Sequence, residues 1–190
     1  MLPERHMSLA DLRIETERLV LRLPQAGDFE RYAELQADEE AARWIGGHQR
    51  RAAAWRKFLQ QPGAWMIQGF GMFSIIDRDS GLWLGQGGPW KPDGWPGNEI
   101  GYMLHRDAWG KGYATEALPA TIDWALANLG WDDFIHCIAP ENAASQKVAT
   151  RLGSTLRGPV RLPPPHEDAA CEMWGQTRRQ WLARRQGLPA

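Results

Sequence analysis

The sequence predicts an α+β fold, and three observations carry that prediction. Residues 17–24 (ERLVLRLP) set Leu19, Leu21 and Leu23 against Arg18, Val20 and Arg22, the period-two pattern of a strand with one buried face. Residues 64–105 break into short apolar or alternating runs divided by Gly, Pro and the turn-like stretch 77–81, which reads as an antiparallel meander of about three strands. Beyond residue 105, helical and strand segments alternate only once before a helix and closing strands, so no repeating βαβ array is present.

Taken in order, Pro24 ends the first strand and Asp28 precedes a helix in which Phe29, Tyr32, Ala33 and Leu35 recur at helical spacing. A second helix is expected through 50–60, stopped by Pro62 and Gly63. The meander follows as AWMIQGF, GMFSIID, LWLGQGGPW and EIGYMLH. After a glycine-containing loop, Ile122, Leu126 and Leu129 mark one helical face, with Gly130 as the C-terminal stop. Pro119 lacks the N–H that a helix interior needs, so it must fall in the first turn, which places the helix start near Ala114. A strand at 134–139, a short helix from Asn142 to Leu152 ended by Gly153, and strands near 154–160 and 171–177 complete the chain. The 190 residues are expected to form one domain, with a flexible N-terminus over 1–14 and a C-terminal helix or tail over 178–190.

Composition excludes several classes of function. Lys plus Arg (22) balances Asp plus Glu (23), so no chain-wide field attracts nucleic acid or a membrane surface, and an anionic ligand must be bound locally. No apolar run reaches the ~18 residues of a membrane span, and no leader-like stretch opens the chain, so a cytoplasmic protein is expected. Cys137 and Cys171 suggest neither a disulfide framework nor a metal site. Tryptophan is the outlier, with 11 copies; core packing is the ordinary use of an indole, but several could wall a groove.

The segment with direct chemical meaning is Trp109-Gly110-Lys111-Gly112-Tyr113-Ala114-Thr115. A strand feeding a glycine turn that feeds a helix presents free N–H groups and the positive helix end to an anion, and glycine lets backbone approach phosphate without a Cβ. A plain strand-to-helix turn explains a bare GxG equally well. A Rossmann turn would want a small residue where Thr115 stands and an acid after the next strand, a place Glu141 fills poorly. The spacing of a P-loop is absent.

Two runs in fixed order, GNEIGYMLHRDAWGKGYATEA at 97–117 and ENAASQKVATRLG at 141–153, together with ETERLVLRLPQAGD at 15–28, resemble the GNAT superfamily of N-acetyltransferases, and within it the branch that acetylates ribosomal-protein N-termini. The resemblance implies a mixed, mostly antiparallel central sheet of about six or seven strands flanked by helices. It also implies acetyl-CoA as co-substrate, no metal, and an amine acceptor. The amides from Trp109 to Thr115 would hold the pyrophosphate, although Trp109 stands where the family has Gln or Arg. The pantetheine arm would run along Tyr102, Met103, Leu104 and His105 like an added strand, which requires that strand and the one at 134–139 to splay apart. Asn142 would bind the pantetheine amide, and main-chain amides near Leu104 would supply the oxyanion donor.

Direct transfer needs a neutral amine, an oxyanion donor and a proton for the departing thiolate. Glu99, on the strand that leads into the loop, is the candidate base, with His136 and His105 as alternatives; a solvated or ion-paired carboxylate is the competing reading. The helix tyrosine that serves many relatives as acid is replaced by Ala149, leaving Ser145 as the available hydroxyl. Capping explains Asn142 and Ser145 as well. Lys147, Arg151 and Arg157 either meet a 3′-phosphate or lie in water. Trp44, Trp65, Trp83, Trp90 and Trp95 are candidates for an acceptor slot, and the meander for a homodimer surface. Arg178, Arg179, Arg184 and Arg185 suggest a basic tail, solvated or in contact with RNA. A non-catalytic CoA sensor on the same fold is the alternative function.

Overall fold

The computed structural model describes residues 11–187; most of the expected flexible N-terminus lies outside them. Strands β1 (Arg13–Glu15) and β2 (Leu19–Arg22) open the chain, followed by helices α1 (Phe29–Ala37), α2 (Glu39–Ala42), α3 (Arg51–Phe58) and α4 (Gln60–Gln68). The meander is β3 (Phe73–Asp77), β4 (Trp83–Trp90) and β5 (Glu99–Leu104). Then come α5 (Tyr113–Asn128), β6 (Asp133–Ile138), α6 (Ala143–Leu152), β7 (Thr155–Pro159), β8 (Glu172–Thr177) and α7 (Arg178–Arg185).

All eight strands join one sheet in the order β1-β2-β3-β4-β5-β6-β8-β7. Every neighbouring pair is antiparallel except β5 with β6. The α+β expectation therefore holds, with one strand more than the upper count of seven: the short β1, which pairs Ile14 with Leu21.

Three local expectations are corrected. β2 is buried on both faces: Leu19 and Leu21 pack with Phe73, Ile75 and Ala117, while Val20 packs with Phe29, Tyr32 and Trp83. Helices on both sides of the sheet cover what a period-two reading leaves to solvent. Pro62 does not end a helix but lies in the first turn of α4, where its missing N–H costs nothing. The run AWMIQGF is accordingly helix to Gln68, with Trp65 buried and its indole N–H donating to Met72 O at 3.0 Å. Pro119 sits inside α5, beyond the first turn. Tertiary packing holds the helix through it, since Ala117, Leu118, Ile122 and Ala125 are all fully buried, and that burial outweighs the roughly 3 kcal/mol an interior proline costs.

The tail is structural. Trp181 of α7 is buried and donates to Asp123 Oδ1 at 2.7 Å, and Arg185 pairs with Asp123 Oδ2 at 2.8 Å. Arg178 and Arg184 donate to the carbonyls of Leu126 and Arg151 at 2.9 and 2.6 Å. Three of the four arginines thus dock α7 against α5 and α6. Among the described residues, no helix is long and apolar enough to cross a membrane, and no group of His, Cys, Asp and Glu is arranged to hold a metal ion.

Candidate active site

Parallel β5 and β6 touch at one register point, Glu99 opposite Ile135, where Ile135 N donates to Asn98 O at 2.9 Å. Beyond it they part. The His136 side chain occupies the wedge, with Nδ1 2.6 Å from Ile100 O and Nε2 3.0 Å from Ser154 Oγ. A carbonyl can only accept, so Nδ1 carries the proton and Nε2 accepts from the serine hydroxyl. Burial lowers the His136 pKa to about 4. The ring is neutral and both nitrogens are engaged, so it spaces the strands and is not a free base.

On β5, His105 N bonds Leu84 O on the β4 side, whereas Ile100 O faces β6. Backbone groups alternate along a strand, so the N–H groups of Tyr102 and Leu104 face the gap. This open edge fits an extended amide-bearing chain. Leu104 O is already taken by the Trp109 indole N–H at 2.9 Å. Gly85 on β4 permits the curvature here, because a Cβ would stand 2.1 Å from Met103 O.

A cavity of about 480 Å³ runs through the splay and brings together Glu99, Tyr102, Met103, Asn142 and Ser145. Glu99 is 7% exposed. Its Oε2 accepts from the Trp95 indole at 2.5 Å and its Oε1 from Cys137 N at 3.3 Å. Burial raises its pKa to about 7, against the opposing pull of those donors. It is neither solvated nor ion-paired. Across the cavity Tyr102 Oη lies 3.1 Å from Ser145 Oγ. Burial raises the Tyr102 pKa, which keeps the phenol protonated. The Asn142 side chain caps α6 by accepting from Ser145 N at 3.1 Å, leaving its amide NH₂ as the group that can serve a ligand.

The glycine loop lies past the end of β5 and does not line this cavity. Gly110 and Gly112 take the left-handed conformation, with φ of 71° and 79°. The first helical bond, Glu116 N to Gly112 O at 3.1 Å, leaves the amides of Tyr113, Ala114 and Thr115 at the open N-terminus of α5. A residue that the sequence reading missed holds the loop: Arg18 donates to Lys111 O at 3.0 Å and to Glu116 Oε2 at 2.7 Å. Thr16 Oγ1 and Arg18 N both donate to Glu116 Oε1, at 2.6 and 2.7 Å. Glu116 is thus a clasp between the β1–β2 connection and α5. Only its 98-residue separation from Arg18 concealed it.

His105 does not reach the cavity; its ring lies 3.3 Å from Glu34 and 3.4 Å from Asp107. Of the five candidate tryptophans, Trp44, Trp90 and Trp95 line the cavity. Trp65 and Trp83 are core residues, and Trp83 donates to Ser74 Oγ at 3.2 Å. Arg157 is paired with Asp133 at 2.9 Å, while Lys147 lies exposed. Lys57, unremarked in the sequence, also lines the cavity. It donates to Ile45 O, and burial lowers its pKa to about 8.

The family model for the acetyltransferase (GNAT) domain matches residues 18–155. The chain is 30% identical over 149 residues to the uncharacterised N-acetyltransferase p20 of Bacillus licheniformis, covering 77% of this chain and 84% of that one. A crystal structure of an acetyltransferase from Agrobacterium tumefaciens str. C58 superposes with a TM-score of 0.78 at 27% identity, covering 93% of this chain and 100% of the other. The ribosomal-protein-S5-alanine acetyltransferase from Vibrio fischeri shares the fold, with a TM-score of 0.70 at 19% identity over 90% of this chain and 99% of that one.

Proposed function

The chain belongs to the GNAT acetyltransferase family, and on that premise we propose that it passes an acetyl group directly from acetyl-CoA to a primary amine, a protein N-terminus or a small amine, with no covalent enzyme intermediate. The observation that carries this reading is Glu99, a buried carboxyl with a pKa raised to about 7, sharing one cavity with the Tyr102–Ser145 hydroxyl pair.

Acetyl-CoA supplies an activated thioester. The Gly110–Thr115 amides and the left-handed glycines suit its pyrophosphate, the β5 edge suits its pantetheine, and Asn142, with its NH₂ uncommitted to the cap, lines the same cavity. Glu99 accepts the proton of the attacking amine; a base near pH 7 is matched to that task. The N–H groups of Tyr102 and Leu104 face the gap where the thioester oxygen gains charge. The Ser145 hydroxyl, backed by Tyr102, meets the departing sulfur. Trp44, Trp90 and Trp95 give the acceptor side an aromatic wall, suited to a hydrophobic or cationic amine.

An acceptor panel scored by thiol release tests the proposal, with N-terminal peptides, including ribosomal ones, a polyamine, an aminoglycoside and amino acids. Release with at least one amine, abolished in Glu99→Gln, is expected. Stabilisation by acetyl-CoA with no release for any amine would instead support a non-catalytic sensor.

A further inference from the structure

The chain's two cysteines, far apart in sequence, meet beside Glu99. On β6 and β8, Cys137 stands opposite Met173 and Ile138 opposite Glu172. Alternate residues of a strand share a face, so Cys171, two before Met173, is the diagonal neighbour of Cys137 on the same face. Both are free thiols, and both line the cavity that holds Glu99. Cys137 is tied to that carboxyl by its backbone N–H at 3.3 Å, and its thiol is among the groups that favour the carboxyl's charged form. Cys171 also lines a second, open hollow with Val160, Arg161, Glu167 and Asp168. Cys171 is 8% exposed, and that hollow is where a small peptide can approach its segment.

We propose that Cys137 and Cys171 are a thiol modification site, closing to a reversible intramolecular disulfide by exchange with a small peptide disulfide such as oxidised glutathione. The Cys137 thiol beside it lowers the Cys171 pKa, whereas the Cys171 side chain and burial push the Cys137 thiol up. Cys171, the one of the two that also lines the open hollow, is the side from which an outside disulfide approaches, and its thiolate is the attacking group. Its sulfur displaces one glutathione thiolate and forms a mixed disulfide. The Cys137 sulfur then attacks the Cys171 sulfur, its proton leaving to Glu99 or water, and the second glutathione departs. Two S–H bonds are lost and one S–S bond is formed, and the oxidant is reduced to two thiols.

Diagonal pairs stand ~7–8 Å apart, and a disulfide wants Cα atoms within about 6.8 Å. Cys171 lies just before β8, one step beyond its pairing with β6, so a shift of its own segment closes that gap at the cost of the one bond its carbonyl accepts there, from Val160 N at 2.9 Å.

The linkage stands on its own geometry; its effect on catalysis rests on the proposed role of Glu99. A disulfide has no S–H, so Glu99 loses the thiol that favours its charged form and holds its proton to higher pH. The other titratable or charged side chains around the cavity are Tyr32, Arg43, Lys57, Tyr102, His136, Glu141 and His166, and the exchange consumes only the two thiols.

The test incubates the full chain with oxidised glutathione, quenches with an alkylating reagent and reads intact mass. The expected product is a monomer lighter by two hydrogens, with neither thiol alkylated, restored by dithiothreitol; Cys171→Ser is expected to give no such species. Unchanged mass, a disulfide-linked dimer, or a glutathione adduct that never resolves would each overturn the linkage. The oxidised protein is then assayed against pH with the best amine of the panel. An acid limb displaced upward, with up to about tenfold less activity below it per unit of displacement, is expected, and superimposable profiles would overturn the coupling to Glu99. If no amine reacts in either state, the function proposal fails while the mass result stands.

Discussion

The indole N–H of Trp95 donates to Glu99 Oε2 at 2.5 Å, across the connection that leads into β5. An otherwise buried carboxyl is thereby given a donor that favours its charged form, which opposes the desolvation that carries its pKa to about 7.

Trp95→Phe keeps the ring and removes the donor. The acid limb of kcat/KM is expected to move upward by about one to two pH units, the size of one hydrogen bond to a charged group. A pH-rate profile checks this; an unmoved limb would separate Trp95 from the base.

Glu99→Gln should lower kcat by about 10²–10⁴-fold while acetyl-CoA still raises the melting temperature. Its stability has a predicted sign. The native carboxyl binds its proton more tightly than the unfolded one, so between the ordinary value near 4.5 and about 7 the wild type loses stability as pH rises, and the loss persists above 7. The Gln variant carries no such penalty. Its melting temperature relative to wild type should increase from pH 5 to pH 8, by an amount that corresponds to at most roughly 3 kcal/mol.

Ser145→Ala and Tyr102→Phe are expected to lower kcat by about tenfold each. Because the two hydroxyls lie 3.1 Å apart and act on one sulfur, the double variant should cost less than the product of the single losses. A fully multiplicative result in the double-mutant cycle would show that they act separately.

Arg18→Ala removes the clasp on Lys111 O and Glu116. The pair is partly exposed, so folding stability should change by no more than about 1 kcal/mol. Acetyl-CoA KM is expected to rise by about tenfold with kcat little changed, read by steady-state kinetics and by a smaller acetyl-CoA thermal shift.

Much of the fold is legible locally. Gly130 and Gly153 end α5 and α6 where the pattern stops them, and Asn142 caps α6. Local reading failed where a neighbour supplied what the pattern lacked. The Val20 face of β2 is covered by α1, Pro62 spends its missing donor in a first turn, and Pro119 is carried by the burial around it. The site divides in the same way. Glu99, Asn142 and Ser145 could be named from their places in two motifs, but Arg18, which reads in the run 15–28 only as a residue of the first strand, and Lys57, which lies in no motif, reach the site only through the fold.

The sequence by itself determined the α+β order, the glycine turn at the head of α5 and the family resemblance, because strand period, helix caps and left-handed glycines are properties of neighbours along the chain. Tertiary structure decided what Glu99 is. A glutamate beside glycine and asparagine reads equally as a solvated strand-edge carboxylate. Only the packing of Trp95, β6 and the splayed β5 edge removes its water, and desolvation is what moves its proton affinity into the range where a base can work.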